Sequence, residues 1–307
     1  MNKGKKVLVV VGPTASGKSK LALELAKEFQ GFLISADSRQ VYKGMDIASN
    51  KDCGEWHRVG LKKKLFVDGI REEMIDIVSP KQTYSLDNWL TTVKKIIDLD
   101  KELPVVVGGT GLYTTALTKG FDLSGNFDAK LRKKIDEELE NEGLPALVKK
   151  LLTIDPEIDN KIDINNPRRV ARALELCYLT GKTINTERQK APYDFLTLGI
   201  TQPREVLYKK IDQRVDQMVK QGLLEEVKAL LKKGYDSTLP AMTGIGYRQM
   251  LGYLNGEMTL EEVIELIKRD SRRYAKRQLS WYRREPNIHW VNNVNEAKKI
   301  VKKWLQK

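Results

Sequence analysis

The sequence predicts an α/β fold, a doubly wound parallel sheet carrying a helical insertion, and three observations predict it. Over the first 120 of its 307 residues, short β-branched runs alternate with segments of helical period. Strands spaced by helices pair in parallel, and the helices then cover the faces of the sheet. Between residues 121 and 194 only helical patterns occur, and the strand signal returns at 195–201. This division gives a core of 1–120 and 195–307 and an insertion of 121–194.

The elements follow in order. Residues 6–11 are a strand, and 17–29 a helix with Leu21, Leu25 and Phe29 on one face. Residues 32–36 are a second strand. A helix over 85–101 starts at Ser85 as N-cap, and 103–107 is a third strand leading into Gly108-Gly109. In the insertion, 128–141, 144–152 and 167–180 are helical, with Pro167 suited to a first turn and Gly181 to a C-terminal stop. Helices follow over 204–221, 223–233 and 260–284, then an edge strand at 288–291 and a closing helix over 295–305. Ligands of doubly wound sheets sit beyond the carboxyl ends of the strands. That rule sets Gly12, Asp37 and the turn 108–110 along one rim.

Composition excludes several classes. Hydrophobic residues make up 41% and charged residues 31%, a balance that folds and does not span a membrane. The longest apolar runs are strand-sized, far short of the ~20 residues of a spanning helix. Met1-Asn2-Lys3 leads directly to the first strand, leaving no room for a signal peptide. Cys53 and Cys177 make no disulfide framework, and with only His57 and His289 a Cys/His metal cluster is excluded. These features predict a cytoplasmic protein without a membrane partner, and a monomer is the expectation. The net charge is +13, of which +9 lies in residues 269–307. A basic excess gathered in one segment is the footprint of a polyanion, although a lysine-biased surface has the same composition.

Gly12, Pro13, Thr14, Ala15, Ser16, Gly17, Lys18 and Ser19 fit G-x-x-x-x-G-K-[ST] between a strand and a helix, the context the motif requires. Glycines let backbone N–H groups turn around phosphate oxygens, and the helix N-terminus adds positive potential. Lys18 supplies a mobile charge and Ser19 a hydroxyl for phosphate-bound magnesium. The loop binds a phosphate chain, as nucleotide- and ATP-binding proteins do, without saying which one. Asp37 ends the second strand and is open to three readings: a magnesium-holding acid, a general base, or a turn aspartate. At Gly108-Gly109-Thr110-Gly111 the glycines permit close approach and Thr110 offers a hydroxyl, unless the run is only a tight turn.

Asn160-Lys161-Ile162-Asp163 matches a guanine-reading motif, but it lies within the helical segment and not at a strand end, so it is a coincidence. In the stretch 269–284, Arg269, Arg273, Lys276 and Arg277 share one helical face with Arg272 at its flank, and Tyr274, Trp281 and Tyr282 interleave. Arginines beside aromatics suit single-stranded bases. The aromatics equally suit the core side of an amphipathic helix, and the combined reading sets them inward with the arginines outward.

The combination resembles the tRNA dimethylallyltransferases. The resemblance rests on the phosphate loop, on 37–47 beginning Asp37-Ser38-Arg39-Gln40, and on Gly108–Tyr113. It continues through Asn166-Pro167-Arg168-Arg169-Val170-Ala171-Arg172-Ala173-Leu174-Glu175, Ile211–Val215, Gly246–Met250 and Ala275-Lys276-Arg277-Gln278-Leu279, seven motifs in family order. It implies a P-loop NTPase-like fold that uses its loop to hold dimethylallyl diphosphate, with magnesium as cofactor and no phosphoryl transfer. The acceptor implied is the N6 amine of the adenine 3′-adjacent to the anticodon, so the partner is the anticodon stem-loop of tRNA. By resemblance Asp37 is the general base, Thr110 lies against the adenosine, and Arg214 stabilises the diphosphate. Asp37, Ser38, Arg39, Gln40, Thr110, Arg132, Arg168, Arg169, Val170, Ala171 and Arg172 match tRNA-contacting positions. So do Thr243, Gly244, Ile245, Gly246, Tyr247, Arg248, Lys276 and Arg277.

The sequence departs from the family in three places. Ala48-Ser49-Asn50-Lys51 stands where Gly-Thr-Ala-Lys is usual, Arg71-Glu72-Glu73-Met74 replaces a Pro-His-His-Leu-like stretch, and 52–69 is longer and carries Lys62, Lys63 and Lys64. No zinc-finger pattern of the eukaryotic members is present, which points to the bacterial type. The competing readings are an adenylate isopentenyltransferase acting on free AMP, ADP or ATP, a P-loop small-molecule kinase, and an RNA-binding NTP switch.

Overall fold

The computed structural model describes residues 4–60, 62–121, 128–184 and 192–307. Residues 1–3 lie outside them, as do 122–127 and 185–191 beside the expected insertion boundaries. In chain order the elements are β1 (Lys6–Val11), α1 (Lys18–Glu28), β2 (Gly31–Ser35), β3 (Glu55–Val59), β4 (Lys62–Val67), β5 (Ile70–Glu73), α2 (Leu86–Leu99), β6 (Leu103–Gly108) and α3 (Gly111–Thr118). Then come α4 (Ala129–Ile154), α5 (Ile158–Lys161), α6 (Pro167–Thr180), β7 (Asp194–Ile200), α7 (Arg204–Lys220), α8 (Leu223–Lys232), α9 (Tyr247–Leu254), α10 (Leu260–Tyr282), β8 (Ile288–Val291) and α11 (Val294–Leu305). They divide into two compact units, Met1–Thr118 with Ala191–Lys307, and Lys119–Lys190.

In the larger unit, one sheet of the described residues runs β3-β4-β5-β2-β6-β1-β7-β8. From β5 to β8 every pairing is parallel. Hydrophobic runs without alternation are what a sheet covered on both faces demands, and Val7 through Val11 are all buried. Leu8, Val10, Leu33 and Val105 pack with Leu21 and Leu25 of α1 and Val301 and Trp304 of α11. On the other side, Trp89 of α2 is fully buried and its indole N–H donates to the Ser35 carbonyl at 3.0 Å. Each such Val or Leu contributes about 1.5–3 kcal/mol on burial. A second core joins α7 to α10 to the segment after β2, around Met45, Val227, Met242, Tyr247 and Ile267.

One expectation is corrected. The segment 52–69 is not merely a longer loop: β3 and β4 form a hairpin that extends the sheet antiparallel through β5. The sheet is therefore parallel in its core and mixed at one edge. All five residues of β3 are exposed, so no alternation announced it. The helices α3 and α9 were also unannounced. Ser85 caps α2 in a capping box with Asn88, and β8 is the last edge strand, both as the sequence indicates.

The smaller unit is helical. α4 and α6 enclose Ile135, Leu147, Leu151, Val170, Leu174 and Cys177. Gly143, at φ +78°, breaks α4 where the sequence separates 128–141 from 144–152. Pro167 opens α6, and Gly181 ends it in the left-handed region. Asn160 and Lys161 sit in the short α5, and Lys161 pairs with Asp155 at 2.9 Å, so the guanine-reading resemblance is a coincidence of spacing.

Candidate active site

The carboxyl ends of β1, β2 and β6 form the floor of the site. Val11 pairs with Gly108 and Ser35 with Val107, which brings the loops after Val11, Ser35 and Gly108 side by side. Gly12 is required by close approach: a Cβ there would stand 2.3 Å from the Ile200 carbonyl oxygen. Gly17 precedes α1 at φ +95°, so the loop turns into the helix with its first amides uncapped by any side chain. Ser16 Oγ and Arg214 Nε are buried and have no protein partner.

Arg214 comes from α7, far along the chain, and its guanidinium donates to Thr14 Oγ1 at 2.9 Å. Burial, then the Arg214 charge, lowers the Lys18 pKa to about 8 against the pull of Asp37 and Asp52. Burial likewise lowers that of Arg214, opposed by the same two carboxylates. Two cations held together and stripped of water attract a polyanion.

Asp52 is a site residue that sequence reasoning missed. It lies within electrostatic reach of Lys18 and Arg214, and burial raises its carboxyl pKa against both cations. Beyond it Glu72 of β5 is buried, its Oε2 has no partner, and desolvation followed by the Asp52 charge pushes it up to about 8. The family departures at 48–51, 52–69 and 71–74 pointed to this stretch, but they gave neither carboxylate a role.

Asp37 and Thr110 meet across the neighbouring strand ends. Asp37 Oδ1 accepts the Arg39 backbone N–H at 2.8 Å, an Asx turn that fixes the carboxylate and leaves Oδ2 without a partner among the described residues. The Thr110 hydroxyl accepts the Ser38 N–H at 3.4 Å. The turn reading of Asp37 is borne out on Oδ1, and it leaves the base reading open on Oδ2. Burial pushes the Tyr274 phenol, which sits against Thr110 and Gln278, up to about 12.

Thr14, Asp37, Arg214, Thr243, Arg248, Tyr274 and Arg277 line one cavity of about 520 Å³, and Ile211, Val215, Met218 and Ile267 give it an apolar wall. Ser38, Arg39, Gly244 and Ile245 line it as well. Arg39 spends its guanidinium on the next turn, donating to the Pro240 and Ala241 carbonyls and to Thr243 Oγ1. Gln40 is turned inward, accepting from Ser35 Oγ and donating to the carbonyls of Ser49 and Asn50. Tyr247 is 1% exposed and donates to Glu226, which also accepts the Asp46 and Ile47 amides. Gln40 and Tyr247 thus shape the site from behind. On α10, Arg269, Arg273, Lys276 and Arg277 are exposed and Tyr282 is buried. Arg272 pairs with Asp212 of α7. Trp281 departs from the inward expectation: it is 37% exposed, with its indole N–H on Thr115 Oγ1 at 3.0 Å.

In the helical unit, Arg132, Asp163, Asn165, Asn166 and Arg168 line a groove. Arg132 donates through Nε to both oxygens of Asp136 at 3.0 Å. The buried Glu175 faces Arg132 at 3.6 Å and Arg172 at 2.9 Å. Arg168 and Arg169 are exposed. Val170 and Ala171 are fully buried, so they fix the helix that carries the arginines and offer no surface themselves.

The model of the family described as IPP transferase matches residues 40–285. The tRNA dimethylallyltransferase of Acetivibrio thermocellus is 43% identical, covering 96% of this chain and 95% of that protein. Its counterpart from Pelotomaculum thermopropionicum is 41% identical, covering 96% and 93%. Among solved structures, the full-length tRNA isopentenylpyrophosphate transferase of Bacillus halodurans has a TM-score of 0.69 at 38% identity, covering 99% of this chain and 96% of that one. A eukaryotic dimethylallyltransferase acting on tRNA has a TM-score of 0.74 at 30% identity, covering 94% and 73%. No helix among the described residues is long and apolar enough to cross a membrane.

Proposed function

The chain belongs to the IPP transferase family, and on that premise we propose that its cavity transfers a dimethylallyl group from dimethylallyl diphosphate to tRNA. The acceptor is the exocyclic N6 amine of the adenine 3′-adjacent to the anticodon, and diphosphate is released. One observation carries the reading: Thr14 of the anion-holding loop and Arg214 of α7 line the same cavity as Asp37, whose Oδ2 stands outside the Asx turn. A phosphate site and a general base in one cavity, with an apolar wall between α7 and α10, suit a prenyl diphosphate and an amine.

The adenine amine is a weak nucleophile because its lone pair is delocalised into the ring. As it attacks the allylic carbon, the carbon–oxygen bond to diphosphate breaks and Asp37 Oδ2 takes the N6 proton. The leaving group gathers charge, which the loop amides, Lys18 and Arg214 are already placed to stabilise. The unpartnered Ser16 Oγ and Arg214 Nε give two further donors to its oxygens. Ser19 at the start of α1 and Asp52, in electrostatic reach of Lys18 and Arg214, would hold a magnesium ion together with substrate phosphates, and such an ion would neutralise diphosphate charge. The target base leaves the anticodon loop to reach Asp37. Arg132, Arg168, Arg169 and Arg172 of the helical insertion, the Thr243–Arg248 turn, and Lys276 and Arg277 hold the anticodon stem-loop, and the enzyme works as a cytoplasmic monomer.

Replacing Asp37 with Asn keeps the shape and the Asx-turn acceptor and removes the base. Single-turnover transfer should slow by ~10²-fold or more, with tRNA affinity changed by less than about threefold. Equal losses of binding and turnover would leave Asp37 as a turn former only.

A further inference from the structure

Gln278 has no role in the chemistry derived above, yet it bonds to two of the turns that build the site. It is 6% exposed, on the face of α10 turned toward the sheet. Its Oε1 accepts the Thr14 backbone N–H at 2.8 Å, and its Nε2 donates to the Gly109 carbonyl at 2.8 Å. The two partners belong to different turns. Thr14 is part of the phosphate loop, whereas Gly109 precedes Thr110, whose hydroxyl holds the backbone beside Asp37. One carboxamide thus joins the half of the site that holds an anion to the half that holds a base.

The surroundings are built to that bond. A Cβ on Gly109 would lie 2.2 Å from Gln278 Nε2, so any side chain there would push this amide out of its place. Tyr282, one helical turn on, donates to the Gly108 carbonyl at 3.3 Å, and a Cβ on Gly111 would meet Trp281 at 2.5 Å. α10 therefore grips the whole turn 108–111, and Gln278 alone of these side chains also reaches the phosphate loop. The carboxamide does both: the Thr14 N–H needs an acceptor and the Gly109 carbonyl a donor. A carboxylate would leave that carbonyl facing a second acceptor, and a methyl would leave both groups buried without partners.

We propose that Gln278 is a positioning residue that sets the spacing between the donor-holding phosphate loop and the acceptor turn at Gly109–Thr110. This inference rests on the prenyl-transfer reading of the same cavity. A misplacement of about 1 Å between reacting groups costs on the order of 10² in rate while leaving each substrate bound.

The test is steady-state transfer of dimethylallyl to tRNA by the wild type, Gln278→Glu, Gln278→Ala, Gly109→Ala and the Gln278→Ala/Gly109→Ala pair. Amide exchange of the peptides containing Thr14 and Gly109 is followed alongside. Gln278→Glu preserves size and guards against a variant that fails to fold. The expected result is a kcat lower by about 10²-fold in each single variant, with KM for both substrates within about threefold. Gly109→Ala displaces the same amide, so the pair should be no slower than the worse single variant. Exchange should quicken at both peptides together. A kcat loss below about threefold, a loss carried by KM, multiplying losses, or unchanged exchange at either peptide would each overturn the proposal. If the wild type itself moves no dimethylallyl to tRNA, the functional reading falls, and the bridge is then judged on the exchange result alone.

Discussion

Lys18 shows how one side chain links burial to function. Its pKa is lowered to about 8 by burial and then by Arg214, so it loses its proton well below the ordinary lysine range. An anion is held by the charged form. The KM for dimethylallyl diphosphate should therefore rise as pH increases from 7.5 to 9.5 around that value. Lys18→Met should bind donor weakly at all pH values and flatten the profile; a pH response that survives in Lys18→Met would assign the titration elsewhere. The stability of the empty protein runs the opposite way. Between about 8 and the ordinary 10.5, the unfolded chain keeps a proton that the folded one has lost, so this lysine's contribution to stability increases with pH.

At the scale of elements, the turn before α9 joins the helical layer to the loop after β2. Gly246 has φ +96°, and a Cβ there would stand 2.7 Å from Ala48 Cβ. Gly246→Ala should lower unfolding free energy by ~2 kcal/mol, measured in denaturant, and weaken transfer because Ala48 lines the cavity. Stability within about 0.5 kcal/mol of the parent would mean the turn relaxes freely. The same scale shows what was legible in the sequence. The phosphate loop, the Ser85 cap and the Pro167–Gly181 helix were readable because each depends on residues a few positions apart. The hairpin β3–β4 was not: its first strand is exposed on both faces and its second opens with three lysines, so neither shows a period of two. Gln278 meets partners 264 and 169 positions away, and Asp52 reaches Arg214 through the fold, so only the folded chain reveals either role. Asp37 could be placed at the rim from sequence, but which of its oxygens the Asx turn takes is set by the folded backbone.

For the molecule as a whole, the +13 charge becomes a binding prediction. Arg168, Arg169, Lys276 and Arg277 are exposed and Arg172 is partly so. Five such phosphate contacts on single-stranded RNA imply a fall in affinity of about two orders of magnitude between ~50 and 200 mM salt. A flat response would reduce the basic face to a solvated surface.

The most direct test of the account is transfer of radiolabelled dimethylallyl from its diphosphate, with magnesium present, to unmodified tRNA and to AMP in parallel. The tRNA is then digested to nucleosides. Label on tRNA alone, recovered as N6-substituted adenosine from the position 3′ of the anticodon and appearing ~10²-fold more slowly with Asp37→Asn, is the predicted result. Label on AMP alone, or none on either acceptor, would contradict it.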